Sequence, residues 1–442
     1  MRIMTANVSF APARVTRRRT VAVLSVLAVG VAACSSVDAP ASSDELSSAL
    51  ARIEVEDAFT AVVIRPVSDS TFPFPGSDGR YHVAYDLVLT NTANVPATVE
   101  RVDVVRAGDP SKVIVSYSGT GLVDPDCPVG DCNRLRRLPS FPTDSNVIPP
   151  QESRALLVDF AFDSLRQAPK AVLHHFVGAA AVNPGSQSPA PVDYVVTPFD
   201  ISDGEPRVIG PPVKGDHWIA LNGCCEPGFP HRTSLASFNG QLVNGQRFAI
   251  DWKQTNEEGA FFEGDPNQNE SYIDYGSNIY AVADGTVITT LDELEPNKPG
   301  ILPANDPVLG PQITVQTVDG NHIIQSIGGG LFAFYAHLQK GTLLVKPGDK
   351  VKKGQIIAKL GNTGNSNAAH MHFHVMDGPS AIGSDGVPYV IDRFSYDGQV
   401  SVEAILEADD FLSGTFLDGQ LPQPQPRRRE LPLQLAIVNF PT

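Results

Sequence analysis

Apolar and polar residues alternate with a period of two over long parts of this 442-residue chain. Val83, Tyr85, Leu87 and Leu89 follow this period, and so do the apolar residues between 156 and 162. Alternating side chains lie on opposite faces of a β-strand, so the pattern predicts strands with one buried face. Turn-rich stretches separate these strands, and no long amphipathic helix is predicted between residues 50 and 205. We therefore expect an immunoglobulin-like, antiparallel β-sandwich over residues 51–205.

A second β-rich region follows residues 202–216, a segment that mixes Gly, Pro and charge and is typical of a domain boundary. Asp284-Gly285 lies between two apolar runs and predicts a hairpin there. We expect an all-β domain over residues 206–400 and a C-terminal extension over 401–442. The last ten residues of this extension can add a strand to a sheet, although the pattern does not say where.

The first 34 residues have the features of an export signal. Arg14 and the arginines at 17–19 form a basic segment, and the apolar stretch at 21–33 is too short to span a bilayer. Small residues before Cys34 make the segment similar to a bacterial lipoprotein signal, which is cleaved and lipidated at the cysteine. We expect residues 35–50 to be a flexible tether. The protein is thus expected to be exported and anchored to a membrane by its lipid, in the periplasm, at the outer membrane or at the cell surface.

The charge of the chain limits its partners. The formal net charge is −16, and removal of residues 1–33 takes away five arginines and no acid, which leaves 28 − 49 = −21. Such an acidic protein repels nucleic acid and anionic headgroups, so we expect no nucleic-acid partner and attachment to a membrane only through the lipid.

Four cysteines follow Cys34. Cys127 and Cys132 are spaced to close a small disulfide loop in an oxidising compartment, whereas a bridge between the adjacent Cys224 and Cys225 would be strained. A cysteine zinc site would need a second closely spaced pair, which the chain lacks.

Histidines near the C-terminal end carry the main chemical signal. His370, His372 and His374 lie at positions i, i+2 and i+4, so in an extended segment their imidazoles project from one face. His337 precedes them in the sequence FYAHL. Convergent imidazoles are typical of a zinc site, which then needs an oxygen ligand from elsewhere in the chain.

Several motifs in a fixed order resemble the lysostaphin-type, or LytM-type, zinc metallopeptidases that cut peptidoglycan peptides. The matching segments are His231 followed by Asp251, VADGTV at 282–287, FYAHL at 334–338, VKPGDKVKKGQIIAKLGNTGNS at 345–366 and HMHFH at 370–374. The resemblance covers about a third of the chain and implies the antiparallel sheet called the duplicated hybrid motif. The segment VKPGDKVKKGQ is also similar to lipoyl and biotinyl carrier domains, but it lacks their Met-Lys motif, and export separates it from the enzymes that carriers serve.

The resemblance implies a role for each matching residue. It places the zinc ligands at His231, Asp251 and His372 and the two non-ligand catalytic histidines at His337 and His370. Two imidazoles and one carboxylate leave one tetrahedral position for water, whose pKa zinc lowers from about 15.7 to about 7. We expect His370 to act as the base and His337 to stabilise the oxyanion, with the reverse assignment as the alternative.

Two positions depart from the family pattern. The family places its first histidine and aspartate four residues apart, whereas His231 precedes Asp251 by twenty, so an inserted hairpin near Asn239-Gly240 is expected and His217 is an alternative first ligand. His374 stands where the family commonly has glutamate. We expect His374 to be a hydrogen-bonded strand residue, because a fourth protein ligand would fill the position that water needs.

The expected function is hydrolysis of peptide bonds in peptidoglycan stem peptides or cross-bridges by a zinc metalloendopeptidase. One alternative is a catalytically silent relative that binds or activates another cell-wall hydrolase. A further alternative is a zinc protein that acts on a different substrate. The sequence of the sandwich contains no catalytic set of residues. We expect the sandwich to act as a spacer, to position the peptidase domain or to recognise a partner, including cell-wall proteins.

Overall fold

The computed structural model describes residues 58–128 and 131–442. The expected signal segment, its lipidation site Cys34 and the tether at 35–50 lie outside the described residues. Among the described residues, no helix has the length and apolar character needed to cross a bilayer.

Residues 62–201 form a β-sandwich, in which the described residues make up eleven strands. These are β1 (Val62–Pro66), β2 (Ser70–Thr71), β3 (Phe74–Pro75), β4 (Tyr81–Asn91), β5 (Ala97–Arg106), β6 (Asp109–Ser118), β7 (Leu135–Arg137), β8 (Val147–Ile148), β9 (Ser153–Phe162), β10 (Ala171–Ala180) and β11 (Ala190–Ile201). Single 3₁₀ turns lie at Gly119–Gly121 and Leu165–Gln167.

The strands form two sheets that enclose one apolar core. One sheet has the order β1-β4-β9-β7, with β3 beside β4, and the other has the order β2-β11-β10-β5-β6, with β8 beside β5. Val83, Tyr85, Leu87 and Leu89 all point into the shared core, which confirms the strand that their alternation predicts. The opposite face of β4 is also buried at Ala84 and Asp86.

The regular secondary structure of residues 207–442, called here the C-terminal region, is again almost entirely β-strand. Their strands are β12 (Arg207–Ile209), β13 (Gly215–Leu221), β14 (Ala236–Phe238), β15 (Gln241–Val243), β16 (Ile250–Gln254), β17 (Asn278–Tyr280), β18 (Gly285–Leu291), β19 (His322–Gly328), β20 (Leu331–Ala336), β21 (Lys350–Val351), β22 (Ile356–Lys359), β23 (Met371–Met376), β24 (Tyr389–Ile391), β25 (Phe394–Gln399), β26 (Gln420–Arg427) and β27 (Ala436–Phe440). Helix α1 spans Val402–Leu406, and 3₁₀ turns lie at Asn269–Ser271, Pro303–Asn305 and Gly310–Gln312. The all-β class expected from the sequence is confirmed.

A ten-stranded sheet dominates this region, in the order β21-β18-β19-β20-β23-β16-β13-β27-β25-β26. The last strand of the chain, β27, lies between β13 and β25 and is therefore interior to the sheet. Three two-stranded ladders, β12-β24, β14-β15 and β17-β22, complete the pairing among the described residues. The hairpin expected at Asn239-Gly240 is present as β14 and β15, with Phe238 opposite Gln241.

The prediction of a hairpin at Asp284-Gly285 is wrong. Strand β17 before it pairs with β22, whereas β18 after it pairs with β19 and β21. The carboxylate of Asp284 instead accepts hydrogen bonds from Lys352 and Lys353. Gly285 is required for close packing, because a Cβ at this position would lie 2.1 Å from the Ser326 carbonyl oxygen.

The sandwich and the C-terminal region are in direct contact, and all described residues belong to one compact unit. Phe74 of β3 packs edge-on against Phe248 with ring centroids 5.3 Å apart. Phe74 and Ala84 both belong to the core that β16 and β23 help to form. The contact explains why the second face of β4 is buried. The domain limits expected at residues 205 and 400 stay predictions.

Disulfides join Cys127 to Cys132 and Cys224 to Cys225. The second disulfide lies just after β13 and six residues before His231, in the segment that approaches the candidate metal centre.

Candidate metal centre

Three neighbouring strands bring the candidate residues together. Strand β23 runs between β16 and β20, and its His372 lies opposite Asp251 on one side and Ala336 on the other. His337 follows Ala336 directly, at the end of β20, and its φ of 58° turns the chain away from the strand. Non-local register, not sequence proximity, therefore places His337, Asp251 and His372 at one point of the sheet.

His231, Asp251 and His372 form one compact cluster. One ligand atom of each residue lies within 4.8 Å of the others. The Nδ1 of His372 is 2.9 Å from Asp251 Oδ1, and the Nε2 of His231 is 3.4 Å from Asp251 Oδ2. All three residues are buried. The cluster contains the three residues that the family resemblance implies as ligands.

Backbone carbonyls fix the orientation of three imidazoles. The Nδ1 atoms of His231, His337 and His370 lie 3.2, 2.7 and 2.9 Å from the carbonyl oxygens of Ala249, Thr363 and Ala368, respectively. A carbonyl only accepts hydrogen bonds, so each Nδ1 carries the proton and each neutral ring keeps a lone pair on Nε2.

This orientation fits a bound cation. The Nε2 atoms of His231 and His370 lie 3.4 and 3.5 Å from the oxygens of Asp251, so lone pairs face a carboxylate. Burial lowers the pKa of His231 to about 4, which keeps its ring neutral near pH 7. Facing lone pairs repel one another unless a cation lies between them. Two imidazoles and one carboxylate are a donor set that suits zinc and leaves a coordination position open.

The protonation states of Asp251, His337 and His370 also fit a bound cation. Burial alone would raise the pKa of Asp251, but the histidines around it, His231 foremost, hold that pKa well below its usual range. Burial lowers the pKa of His337 and of His370, and the nearby Asp251 carboxylate opposes this effect for both rings. The ring centroids of His337 and His370 are 4.6 Å apart. Asp251 is thus anionic, and two neutral imidazoles stand beside it.

His374 lies behind His372 and outside the ligand cluster. Its Nδ1 is 3.0 Å from His372 Nε2, and its ring packs on Phe334 with centroids 5.0 Å apart. Among the described residues, its Nε2 has no hydrogen-bond partner. If His374 Nδ1 accepts the proton of His372 Nε2, the lone pair of His372 Nδ1 faces Asp251 and is available to a metal.

His217 does not reach the cluster. On β13 the residue opposite Asp251 is Leu221, and His217 lies four positions further along the strand, where its carbonyl accepts from Thr255. Four residues of strand correspond to roughly 13 Å. The structure therefore places His231, and not His217, beside Asp251.

Sequence reasoning missed three polar residues around the cluster. The Asn222 side chain donates to Asp251 Oδ2 at 2.7 Å, and buried Lys253 donates to the Ala369 carbonyl at 2.6 Å, directly before His370. The Asp319 carbonyl accepts from the His337 N–H. Only Lys253 had a local signal, since it lies two residues after Asp251 on the same strand face.

The sequence around this site matches a family of peptidases. Residues 272–383 match peptidase family M23, and this stretch contains His337, His370 and His372, while His231 and Asp251 precede it. The chain therefore carries a domain of peptidase family M23, as the motifs in its sequence indicate.

Solved structures of this family are also similar to the chain. The catalytic domain of lysostaphin from Staphylococcus simulans is 22% identical over 34% of this chain and 78% of that one, with a TM-score of 0.20. A mutant catalytic domain of the prophage-encoded M23 protein EnpA from Enterococcus faecalis is 21% identical over 32% of this chain and 73% of that one, also with a TM-score of 0.20. A zinc-containing peptidase from Vibrio cholerae is 17% identical over 50% and 58%, with a TM-score of 0.23. Because these TM-scores are low, the assignment depends on the family match.

Proposed function

We propose that the chain is a zinc metalloendopeptidase that hydrolyses peptide bonds in peptidoglycan stem peptides or cross-bridges. The supporting observation is the convergence of His231, Asp251 and His372 within 4.8 Å, with the Nε2 atom of His370 beside the same carboxylate. The order of the sequence motifs and the expected export of the chain favour a cell-wall substrate over a cytoplasmic one.

In this proposal His231, Asp251 and His372 hold the zinc ion. The ion would supply a water molecule of lowered pKa and polarise the scissile carbonyl group. Asp251 contributes its negative charge, and the hydrogen bond from Asn222 keeps its carboxylate turned toward the two histidines. The Ala249 carbonyl holds the His231 ring with Nε2 facing the same point.

His370 is the proposed general base. Its Nε2 is free to accept a proton from the attacking water, and the Asp251 carboxylate 3.5 Å away stabilises the imidazolium that forms. The water oxygen bonds to the carbonyl carbon, the C–N bond then breaks, and His370 returns the proton to the leaving amine. The products are a carboxylate and an amine.

His337 is proposed to stabilise the oxyanion. Its Nδ1–H is committed to the Thr363 carbonyl, so His337 can donate to the substrate oxygen only after its Nε2 takes up a proton from solvent. Burial, and then the neighbouring His370 and His372, hold the pKa of His337 well below its usual range, so its neutral ring is a weak base. A negative charge on the substrate oxygen would offset that effect in the transition state.

The proposal also includes the location of the protein. We propose that a lipid on Cys34 anchors the mature chain at a membrane that faces the cell wall, with peptidoglycan as the binding partner. Labelling of cells with a radioactive fatty acid should mark the wild-type chain and leave a Cys34→Ala variant unlabelled.

The test of the enzymatic proposal uses the purified full chain. Incubation with cell-wall sacculi, followed by mass spectrometry of the released fragments, should show new peptide termini. A chelator or His372→Ala should abolish release, whereas His217→Ala is the matched control and should not. Release that His372→Ala leaves undiminished would refute the site.

Other results would favour the alternatives. A chain that binds zinc with normal affinity but releases nothing would support the silent relative that binds or activates another hydrolase. Cleavage of a protein substrate alone would support a role outside the cell wall.

A further inference from the structure

A single carboxylate of the sandwich contacts both ends of the segment that separates two of the proposed metal ligands. Asp86 lies on the face of β4 that points away from the sandwich core, and its side chain is fully buried. Its Oδ1 accepts from Arg232 Nη1 at 2.5 Å. Its Oδ2 accepts from Arg247 Nε and Nη2 at 3.0 and 2.9 Å.

Arg232 directly follows the ligand His231. Besides Asp86, it donates to the Tyr85 and Val158 carbonyls at 2.9 and 3.1 Å, and both carbonyls belong to the sandwich. Its Nε donates to the Cys225 carbonyl at 3.1 Å. The guanidinium is thus embedded between β4 and β9, and the sandwich determines where the backbone at residue 232 can lie.

Arg247 precedes the ligand Asp251 by four residues and is equally buried. Its second partner is Asp385, which also accepts from Ser68 of the sandwich at 2.5 Å. Asn244 donates to Asp86 at 3.1 Å. The network contains two arginines and two aspartates and is therefore electrically balanced. Burial alone would raise the pKa of Asp86, but the two arginines lower it, so Asp86 remains ionised.

The geometry of the network has a consequence for the metal centre. His231 and Asp251 are separated by twenty residues, and loop entropy opposes a fixed distance between the ends of so long a segment. A buried carboxylate that binds both ends removes much of this freedom before a metal arrives. Removal of the carboxylate would leave two buried guanidinium groups without the negative charge that they share.

We infer that Asp86 is a positioning residue for the metal centre and that the sandwich is a working part of the peptidase. The inference rests on the proposed metal site, although it does not depend on which peptide bond is cut. It extends the expected role of the sandwich from spacing or recognition to assembly of the ligand set.

The test measures zinc binding by the full chain. Asp86→Asn keeps the shape of the side chain and removes its charge. Asp103→Asn is the matched control, because Asp103 is also buried and ionically paired but its partners Arg101, Ser116 and His175 all belong to the sandwich. Competition with a chromophoric chelator gives the zinc affinity, and the visible spectrum of the cobalt-substituted protein reports the geometry of the ligands.

We expect Asp86→Asn to weaken zinc binding by about 10-fold, the lower end of the effect of losing a hydrogen-bond partner of a metal ligand, because Asp86 acts on the ligands only through Arg232 and Arg247. Its cobalt bands should shift or weaken at saturation, while near-ultraviolet circular dichroism shows a folded chain. Asp103→Asn should retain both wild-type properties. A folded Asp86→Asn variant with wild-type affinity and spectrum would overturn the inference, and so would an equal loss in Asp103→Asn.

A milder variant decides the question if Asp86→Asn does not fold. Arg247→Lys keeps a cation in the network but cannot bridge Asp86 and Asp385 in the same way. Weaker zinc binding by this folded variant supports the inference, and unchanged binding refutes it. Failure of the wild-type chain to bind zinc, or equal binding by His372→Ala, would instead overturn the metal site itself and the inference with it.

Discussion

Tyr335 and Tyr389 are both fully buried, but within the described part of the chain only the Tyr335 hydroxyl has hydrogen-bond partners. The Tyr335 hydroxyl accepts from the Val282 N–H at 2.9 Å and donates to Gln325 Oε1 at 2.5 Å. The Tyr389 hydroxyl has no partner among the described residues. Burial raises the pKa of both hydroxyls, so both are neutral near pH 7. Replacement by phenylalanine removes the same atom at both positions.

The expected effects have opposite signs. Tyr335→Phe leaves a buried N–H and a buried amide oxygen unpaired, at about 1–3 kcal/mol each, so we expect a loss of about 3 kcal/mol in the free energy of unfolding. Tyr389→Phe removes a buried hydroxyl that has no partner, and we expect a gain of about 1 kcal/mol. Equilibrium urea unfolding of both variants, with the m-value as a check on the unfolded state, measures the difference. Equal destabilisation of both variants would refute the hydrogen-bond assignment.

Three further predictions concern the surroundings of the metal centre. Burial raises the pKa of Asp274 to about 6 from the usual 3.8. The stability that the protonated carboxyl contributes is therefore complete below pH 3.8 and is lost as the pH rises through 6. Urea unfolding should show that the stability of Asp274→Asn relative to wild type increases by about 3 kcal/mol between about pH 4 and pH 7. His374→Leu removes the partner of His372 Nε2 and should weaken zinc binding about 10-fold in a competition titration, whereas His374→Glu keeps an acceptor and should bind nearly as wild type. Gly320→Ala should lower both stability and peptidase activity, because its Cβ would lie 2.3 Å from the Thr363 carbonyl that orients His337.

Each of these predictions can fail in a defined way. A pH-independent difference between Asp274→Asn and wild type would show that this carboxyl does not titrate in the native state. Equal zinc affinity of His374→Leu and His374→Glu would exclude a role for the acceptor. Gly341→Ala is the control for Gly320→Ala, because its φ of 73° is similar but its Cβ would meet nothing within 4 Å. Equal effects of the two glycine variants would mean that backbone strain alone is responsible.

The strand assignments show what a local pattern can predict. The period of two at 83–89 identifies the residues of β4 that share the sandwich core. It does not say what covers the other face, where Ala84 and Asp86 are buried against a region more than a hundred residues away. A polar residue at an alternate position is normally expected in solvent, so no local pattern distinguishes Asp86 from an exposed residue.

In the candidate metal centre, too, local spacing predicted some features and distant contacts decided others. His370, His372 and His374 were predictable as one face of a strand because their spacing is local. The choice between His231 and His217 was not, because it depends on contacts between segments far apart in the chain. The register of β13 against β16 places Leu221 opposite Asp251 and so carries His217 away from it, whereas His231, after β13, lies beside Asp251.

Local sequence patterns were enough to predict the all-β class, because alternation acts over a few residues, and the family resemblance implied the residues proposed for catalysis, with His217 left open as an alternative to His231. Three features became visible only in the folded chain: Asp284-Gly285 is not a hairpin, β27 lies inside the main sheet, and Asp86 contacts both Arg232 and Arg247. These features depend on pairing and burial between segments far apart in the chain. The free energy of such contacts comes from removing water and satisfying buried charges, which no local pattern records.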